Sequence, residues 1–232
     1  MKILKTGVLG LDEMLSGGIP EGHTVAVLGS AGTGKSTFAL QFIFTGLQNN
    51  ENCVYLSLEE SEENLMKTGM IFGWDLKPYI DNKKLTLVNF NRFNFKEMIN
   101  RFESDLPKLM KSLNIKRLVI DPITLYEMVY DTESERRDHL FNFAQVIKQM
   151  DITVVMTSEI SKENPYCSKY GLIEYITDGV IIMRQVRRED LIAVTTFIEI
   201  LKMRHIDHSK EIKPYSITKN GIVVHSGSGV YI

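Results

Sequence analysis

A glycine-rich loop between a strand pattern and a helix pattern constrains this chain more than any other feature. The segment HTVAVLG (23–29) reads as a buried strand, and STFALQFIFTGLQ (36–48) has an apolar stripe at helical spacing. The full pattern G-x-x-x-x-G-K-[ST] is formed by Gly29, Ser30, Ala31, Gly32, Thr33, Gly34, Lys35 and Ser36. A strand before this motif and a helix after it are the context that the motif requires.

A loop of this kind predicts a site for the phosphates of a nucleoside triphosphate. Its glycines let successive backbone N–H groups point inward at phosphate oxygens. The N-terminus of the following helix adds a partial positive charge. We expect Lys35 to reach the β and γ phosphates and the Ser36 hydroxyl to bind Mg²⁺, with Thr37 completing the predicted nucleotide site. The motif alone does not distinguish a motor, a kinase or a protein that only binds nucleotide.

Strand and helix patterns alternate along the rest of the chain. Further strands are predicted at 53–58, 84–90, 116–121 and 151–159, and helices after the N-cap Ser61, at 95–113 with a break or kink at Pro107, and at 135–150. This alternation predicts an α/β fold with a mostly parallel sheet and helices on both faces. The strand patterns at 179–186, 193–203, 213–218 and 221–226 follow without helices, which predicts an antiparallel extension of the same sheet.

Length and composition bound the domain organisation. The 232 residues are 44% apolar, which allows one large domain or two small ones. Because no linker rich in Pro, Gly or Ser separates a second domain, we predict a single one. It comprises an N-terminal segment 1–22, a core 23–178 and a C-terminal β extension 179–232.

Charge, cysteines and the N-terminus limit the setting in which the chain works. A net charge of −2 excludes a strongly basic footprint for nucleic acid, although not a local patch. Cys53 and Cys167 form no CxxC pair, which favours free thiols in a reducing cytosol. The N-terminal MKILKTGVLGLDEML shows neither a signal peptide nor a membrane span, so we predict a cytoplasmic protein without membrane contact.

Three groups of polar residues follow predicted strands and are candidates for chemistry. Asp121 ends the apolar strand LVID, the position of the acid that holds Mg²⁺ in P-loop proteins; the alternative is a turn residue before Pro122. Glu59 and Glu60 follow the second strand, where both can address one water only if the strand end is bent; otherwise they are surface acids. Thr157, Ser158 and Glu159 end the fifth strand and either sense the γ phosphate or form a cap or turn.

The chain resembles the KaiC-like ATPases of the RecA superfamily over nearly its whole length. The resemblance rests on TGVLGLDEMLSGGIPEG (6–22), GSAGTGKS (29–36), YLSLEESEENL (55–65), FGWD (72–75), LVID (118–121), VVMTSE (154–159), EYITDGVI (174–181) and KMRHIDHSKEIKPYSITKNGIVV (202–224). It implies a RecA-like fold with ATP and Mg²⁺ as ligands. It also implies that Glu59 and Glu60 are the catalytic glutamates.

The resemblance further implies a homo-oligomer, a hexameric ring with nucleotide between subunits. Lys202 and Arg204 form the family's Lys-x-Arg pair, which would act in trans on the neighbour's γ phosphate. A cation supplied in this way neutralises transition-state charge. Without the resemblance, the two side chains would be read as solvated neighbours on a strand edge.

Two departures from the family pattern concern particular positions. Where the family commonly has Gly-Thr or Gly-Ser after Lys-x-Arg, this chain has His205 and Ile206, whereas His208 matches a family histidine. Duplicated members autophosphorylate a Ser-Thr pair in their second half, and the matching positions here are Glu174 and Tyr175. We therefore expect no Ser/Thr autokinase activity at that site.

Two other functions remain open at the level of sequence. One is a DNA-binding recombination modulator like the archaeal RadB and RadA paralogues. Its candidate residues are Lys162, Tyr166, Lys169 and Tyr170 in the loop 158–171, and the cluster Arg184, Arg187 and Arg188 ahead of Glu189 and Asp190. The other is an ATP-gated assembly switch that barely hydrolyses ATP and presents a surface to a protein partner.

Overall fold

A computed structural model describes residues 2–89, 105–187 and 194–227. The strands are β1 (Ile3–Leu4), β2 (Ile19–Pro20), β3 (Thr24–Gly29), β4 (Asn52–Ser57), β5 (Leu85–Asn89), β6 (Ile115–Asp121), β7 (Thr153–Glu159), β8 (Gly179–Arg187), β9 (Val194–Met203), β10 (Lys213–Thr218) and β11 (Gly221–Val224). The core strands begin and end within two residues of their predicted limits.

The helices predicted at 36–48, after Ser61 and at 135–150 are present, and the described residues also contain four short helices that were not predicted. In chain order, the helices are α1 (Leu11–Met14), α2 (Lys35–Gln48), α3 (Glu62–Ile71), α4 (Lys77–Asp81), α5 (105–112), α6 (Ile123–Glu127), α7 (Glu133–Gln149) and α8 (Ile173–Ile176). Ser61 is the N-cap of α3, as predicted, because its side chain accepts a hydrogen bond from the Asn64 N–H. The described part of the predicted helix 95–113 runs through Pro107 without a break, while 95–104 lie outside the described residues.

Nine of the described strands form one sheet in the order β11-β10-β9-β8-β3-β7-β6-β4-β5. The strands from β8 to β5 are mutually parallel, and β9, β10 and β11 add to the β8 edge with antiparallel pairing. This confirms the predicted α/β fold with a mostly parallel sheet and an antiparallel C-terminal extension.

The start of the antiparallel extension was predicted wrongly. The sequence placed it at residue 179, but β8 runs parallel to β3, with Val25 opposite Gly179 and Gly29 opposite Met183. The chain returns to the other end of the sheet between β7 and β8 through irregular segments and the four-residue α8. Because this return carries no long helical pattern, the sequence does not reveal the parallel crossover. The antiparallel part begins at β9.

Each face of the sheet is covered by its own apolar cluster. Helix α2 packs on one face, where Phe38, Phe42 and Ile43 are fully buried. Helices α6 and α7 pack on the other face with Tyr126, Leu140 and Phe143. The carboxyl ends of β3, β4, β6 and β7 therefore meet at one edge between the two helical layers, where ligands bind in open α/β sheets.

Candidate functional site

The phosphate loop connects β3 directly to α2. Gly32 and Gly34 have φ angles of +80° and +89°, in the left-handed region that glycine adopts without steric cost. The Thr33 hydroxyl donates to the Ser30 carbonyl at 2.8 Å and closes the turn. At Gly29, an added Cβ would lie 2.5 Å from the Thr33 hydroxyl oxygen, so a side chain there would disrupt the turn. The backbone conformation of the loop thus favours glycine at 32 and 34, and the close approach of the Thr33 side chain favours it at 29.

Lys35 lies at the start of α2, and its ammonium group folds back over the loop. Its Nζ donates to the Ser30 carbonyl at 3.0 Å. Burial lowers the pKa of Lys35, while the carboxylates of Asp121, Glu159 and Glu59 act in the opposite direction. The charges of the predicted Mg²⁺-holding acid, the strand-end acid and one of the two predicted catalytic glutamates thus act on the ammonium group of the loop lysine. Ser36 and Thr37 follow on the first turn of α2, where Ser36 is exposed.

Asp121 lies at the carboxyl end of β6 and is held from both sides. Its Oδ2 accepts a hydrogen bond from the Tyr55 hydroxyl of β4 at 2.5 Å, and its Oδ1 accepts one from the Thr157 hydroxyl of β7. Burial and the adjacent Asp121 raise the pKa of Tyr55 well above its usual value, so the phenol remains a donor. The two neighbouring strands thus fix the orientation of the carboxylate. Sequence analysis missed Tyr55 as a partner, although a buried tyrosine hydroxyl usually requires one.

Helix α6 contacts the end of β7, where Ser158 and Glu159 lie. The Ser158 hydroxyl lies 3.0 Å from that of Thr124, whose oxygen also accepts from the Glu159 N–H at 2.9 Å. The Glu159 carboxylate pairs with the Lys169 ammonium at 2.9 Å. Ser158 is fully buried, whereas Glu159 is exposed at the same edge as Lys35. Thr124 was not singled out from sequence because only the fold brings it beside β7.

Glu59 and Glu60 lie on a bend that follows β4, the backbone shape that both acids would need to address one water. The Ser57 hydroxyl donates to the Glu60 carbonyl at 2.6 Å and accepts from the Glu60 N–H at 2.9 Å. The Glu60 carboxylate accepts a hydrogen bond from the Asn64 side chain at 3.1 Å. Glu59 is the one of the two whose charge acts on Lys35. The bend therefore gives the two acids different surroundings.

Lys202 and Arg204 lie at the opposite end of the sheet from the phosphate loop of the same chain. The Lys202 ammonium donates to the carbonyls of Glu174 and Thr177, the latter at 2.7 Å. The Arg204 guanidinium is half exposed and lies 3.4 Å from an Asp178 carboxylate oxygen. Asp178 in turn accepts from the N–H of Thr24, the first residue of β3. The loop begins at the last residue of that strand, about 16 Å away at 3.3 Å per residue.

His205, at a position where the family commonly has glycine, occupies a backbone conformation that favours glycine. Its φ of +66° lies in the left-handed region, where glycine is the residue with the lowest cost. The His205 Nδ1 lies 3.2 Å from the His23 Nε2, which is also 3.2 Å from the Arg204 carbonyl. The contact between the imidazoles of His23 and His205 thus stabilises the turn that follows Arg204.

Comparison with known proteins places the chain in a family. The family model described as "ATPase: KaiC" matches residues 4–229. The chain belongs to the KaiC family of ATPases. It is similar to a KaiC-like protein from the hyperthermophilic archaeon Pyrococcus horikoshii OT3, with 35% identity and a TM-score of 0.86 over 97% of this chain and 99% of that structure.

Curated KaiC proteins are similar over a part of their length. The circadian clock oscillator proteins KaiC of Acaryochloris marina and Synechococcus elongatus are each 33% identical to this chain, over 95% and 94% of it. The match covers 43% of either relative, so the chain spans less than half of their length. The resemblance stated from the motifs is thereby confirmed at the level of family and fold.

Arg184, Tyr166 and Tyr170, three of the residues considered for DNA, contact other side chains of this KaiC-family chain. The Arg184 guanidinium lies 4.8 Å from the centre of the Tyr166 ring and also pairs with Glu199 at 2.8 Å. Arg136 lies 3.8 Å above the Tyr170 ring. A nucleic-acid strand stacking on these rings would have to displace the two arginines. Lys162 and Arg187 are exposed, and Arg188, Glu189 and Asp190 lie outside the described residues.

Among residues 2–89, 105–187 and 194–227, no group of three or more His, Cys, Asp and Glu side chains could hold a metal ion. Within the same ranges, no helix is both long and apolar enough to cross a bilayer.

Glu127, the last residue of α6, has a buried carboxyl group whose ionisation should affect the stability of the protein. Neither of its carboxyl oxygens has a hydrogen-bond partner among the described residues. Burial raises the pKa of Glu127 from 4.5 to about 8, opposed by Arg136 and reinforced by Glu174. The pKa of Glu127 is higher in the folded chain than in the unfolded chain. The contribution of this group to the free energy of unfolding is therefore fully present below the unfolded pKa, and it is lost as the pH rises through the folded pKa.

We therefore expect the stability of the parent protein to fall relative to Glu127→Gln between about pH 5 and pH 8. The slope of this difference is at most about 1.4 kcal/mol per pH unit. Urea unfolding of both proteins across this range measures it, with Glu163→Gln as an exposed control. Parallel pH curves for the parent and Glu127→Gln would contradict the expectation.

Proposed function

We propose that this chain is an ATP-binding protein that hydrolyses ATP slowly as a ring-forming ATPase with a regulatory role. The observation that carries the proposal is that the phosphate loop at the end of β3 lies at the same edge of the sheet as Glu59, Asp121 and Glu159, which follow or end β4, β6 and β7. Such a centre can hold a triphosphate by the loop amides and the lysine, with acids placed for the metal and for water.

The donor set at this edge fits Mg²⁺. The Ser36 hydroxyl and the Asp121 carboxylate supply oxygen, the ligand that Mg²⁺ prefers. When bound with ATP, the ion would neutralise charge on the phosphates. Tyr55 and Thr157 would hold the Asp121 carboxylate in place. They occupy one position on each of its oxygens and leave further lone pairs free.

Glu59 and Glu60 are proposed to act on the attacking water. The water oxygen bonds to the γ phosphorus, the bond to the β–γ bridging oxygen breaks, and the water proton passes to a carboxylate. Both acids are exposed, and Glu59 is proposed as the acceptor because its charge acts on Lys35. Glu60 is proposed to hold the bend, since its backbone and carboxylate bond to Ser57 and Asn64.

The position of Arg204 supports action between subunits. An arginine side chain spans roughly 7 Å, whereas the end of β3 that leads into the loop is about 16 Å from the Asp178 end. Arg204 therefore needs a neighbouring copy to reach a γ phosphate. We propose a homo-oligomer, a hexameric ring, in which Lys202 and Arg204 complete the next subunit's site.

We place the protein in the cytoplasm, where Cys53 and Cys167 would remain the free thiols that they are in the structure.

The test combines steady-state phosphate release with the mass in solution, each measured with and without Mg-ATP. We expect slow release that depends on Mg²⁺ and a multimer whose mass rises with Mg-ATP. A parent protein that binds ATP but releases no phosphate would favour the assembly switch. Binding of single-stranded DNA that falls steeply with salt would favour the recombination modulator.

A further inference from the structure

Two carbonyl groups of the phosphate loop accept hydrogen bonds from the C-terminal half of the sheet. The Gln185 side-chain amide of β8 donates to the Gly32 carbonyl at 2.8 Å. The Tyr215 hydroxyl of β10 donates to the Thr33 carbonyl at 2.6 Å. The partners are 153 and 182 residues apart in sequence, so only the completed sheet brings them together.

These hydrogen bonds fix the direction in which the loop amides point. A peptide unit is planar and trans, so its N–H points opposite to its C=O. Holding the Thr33 carbonyl toward Tyr215 therefore turns the Gly34 N–H away from β10. The Gly34 N–H has no acceptor among the described residues, as expected for a group kept for a ligand.

Strand β10 also packs directly against this part of the loop. A Cβ added to Gly34 would lie 2.7 Å from the Ile217 side chain. Tyr215 is 3% exposed, and its hydroxyl has the Thr33 carbonyl as acceptor in a buried environment. The Tyr215–Thr33 hydrogen bond is thus a buried brace on the loop, where water does not compete for the carbonyl.

We propose that Tyr215 and Gln185 are positioning residues that hold the phosphate loop in its binding conformation, which makes the C-terminal strands part of the nucleotide site. Neither side chain touches the nucleotide; both act through the peptide units of the loop. This inference rests on the proposed binding of Mg-ATP. Without the brace, the loop must be ordered when ATP arrives, so affinity falls while the rate at saturation is preserved.

The test uses Tyr215→Phe, which removes only the hydroxyl, and Tyr126→Phe as the matched control. Tyr126 also donates from a largely buried hydroxyl to a carbonyl, that of His139 at 3.3 Å, on the other face of the sheet. We expect the Kd and KM for Mg-ATP to rise about 5- to 15-fold in Tyr215→Phe and to stay within twofold in Tyr126→Phe. The kcat should change less than about twofold in both.

Gln185→Leu is a second variant that does not endanger folding, because Gln185 is exposed, and Gln149→Leu is its exposed control at the far end of α7. We expect a rise of about two- to fivefold in the Kd for Gln185→Leu only. Equal Kd values for the parent, Tyr215→Phe and Gln185→Leu would overturn the inference while leaving the proposed function intact. A parent protein that binds no Mg-ATP would overturn both.

Discussion

Replacing both Glu59 and Glu60 with glutamine is expected to lower phosphate release from Mg-ATP by about 10²- to 10⁴-fold. Glutamine keeps the size of the side chain but cannot accept the proton of the attacking water. Because the phosphates are held elsewhere, by the loop and Lys35, the Kd for Mg-ATP should change less than about threefold. Single-turnover phosphate release and equilibrium binding, measured on the same preparations, separate the two quantities.

The single variants distinguish the roles proposed for the two acids. Glu59→Gln should account for most of the loss, because Glu60 already bonds to Asn64 and braces the bend. Glu62→Gln, in the first turn of α3, is the matched control, since it removes a nearby charge without reaching Lys35. Release at the parent rate in the double variant would exclude both acids from the chemistry.

Arg204→Ala is expected to reduce phosphate release by about 10³- to 10⁵-fold in the assembled protein. The guanidinium is half exposed and pairs with one carboxylate, that of Asp178, among the described residues, so the subunit itself should remain folded. Arg187→Ala, which removes an exposed arginine on β8, should retain the parent rate. Unfolding by urea provides the check on folding.

Mixing two inactive variants tests whether Arg204 acts in trans. Lys35→Met subunits lack a working loop but carry Arg204, whereas Arg204→Ala subunits have the loop but lack the arginine. Mixed rings would contain interfaces in which an intact loop faces an intact arginine, so activity should return on mixing. No recovery in rings shown to be mixed, or a parent rate in Arg204→Ala alone, would refute action between subunits.

Most of the fold could be predicted from local patterns; the errors concern Pro107, which does not break α5, and the direction of β8. The strand β3, the helix α2 and the N-cap Ser61 follow from spacing within a few residues. The direction of β8 does not, because it depends on how the chain between β7 and β8 crosses the sheet. That crossing is made by irregular segments and α8, which leave no periodic signal.

The candidate site divides in the same way between local and distant contacts. The phosphate loop is contiguous, so its motif was sufficient to locate it. The groups that orient it or its acids come from elsewhere: Tyr55 is 66 residues from Asp121, and Tyr215 is 182 residues from Thr33. In sequence, each of these is an ordinary residue of a buried strand. Only the order and register of the strands reveal what the hydroxyl groups contact.

Titration calorimetry of the parent and of Lys35→Met tests most directly whether the loop from Gly29 to Ser36 binds Mg-ATP. We predict one nucleotide bound per chain, with a Kd raised at least about 100-fold by the substitution, because a charge-assisted contact with the phosphates is lost. Absence of binding to the parent, or equal binding by Lys35→Met, would contradict the account.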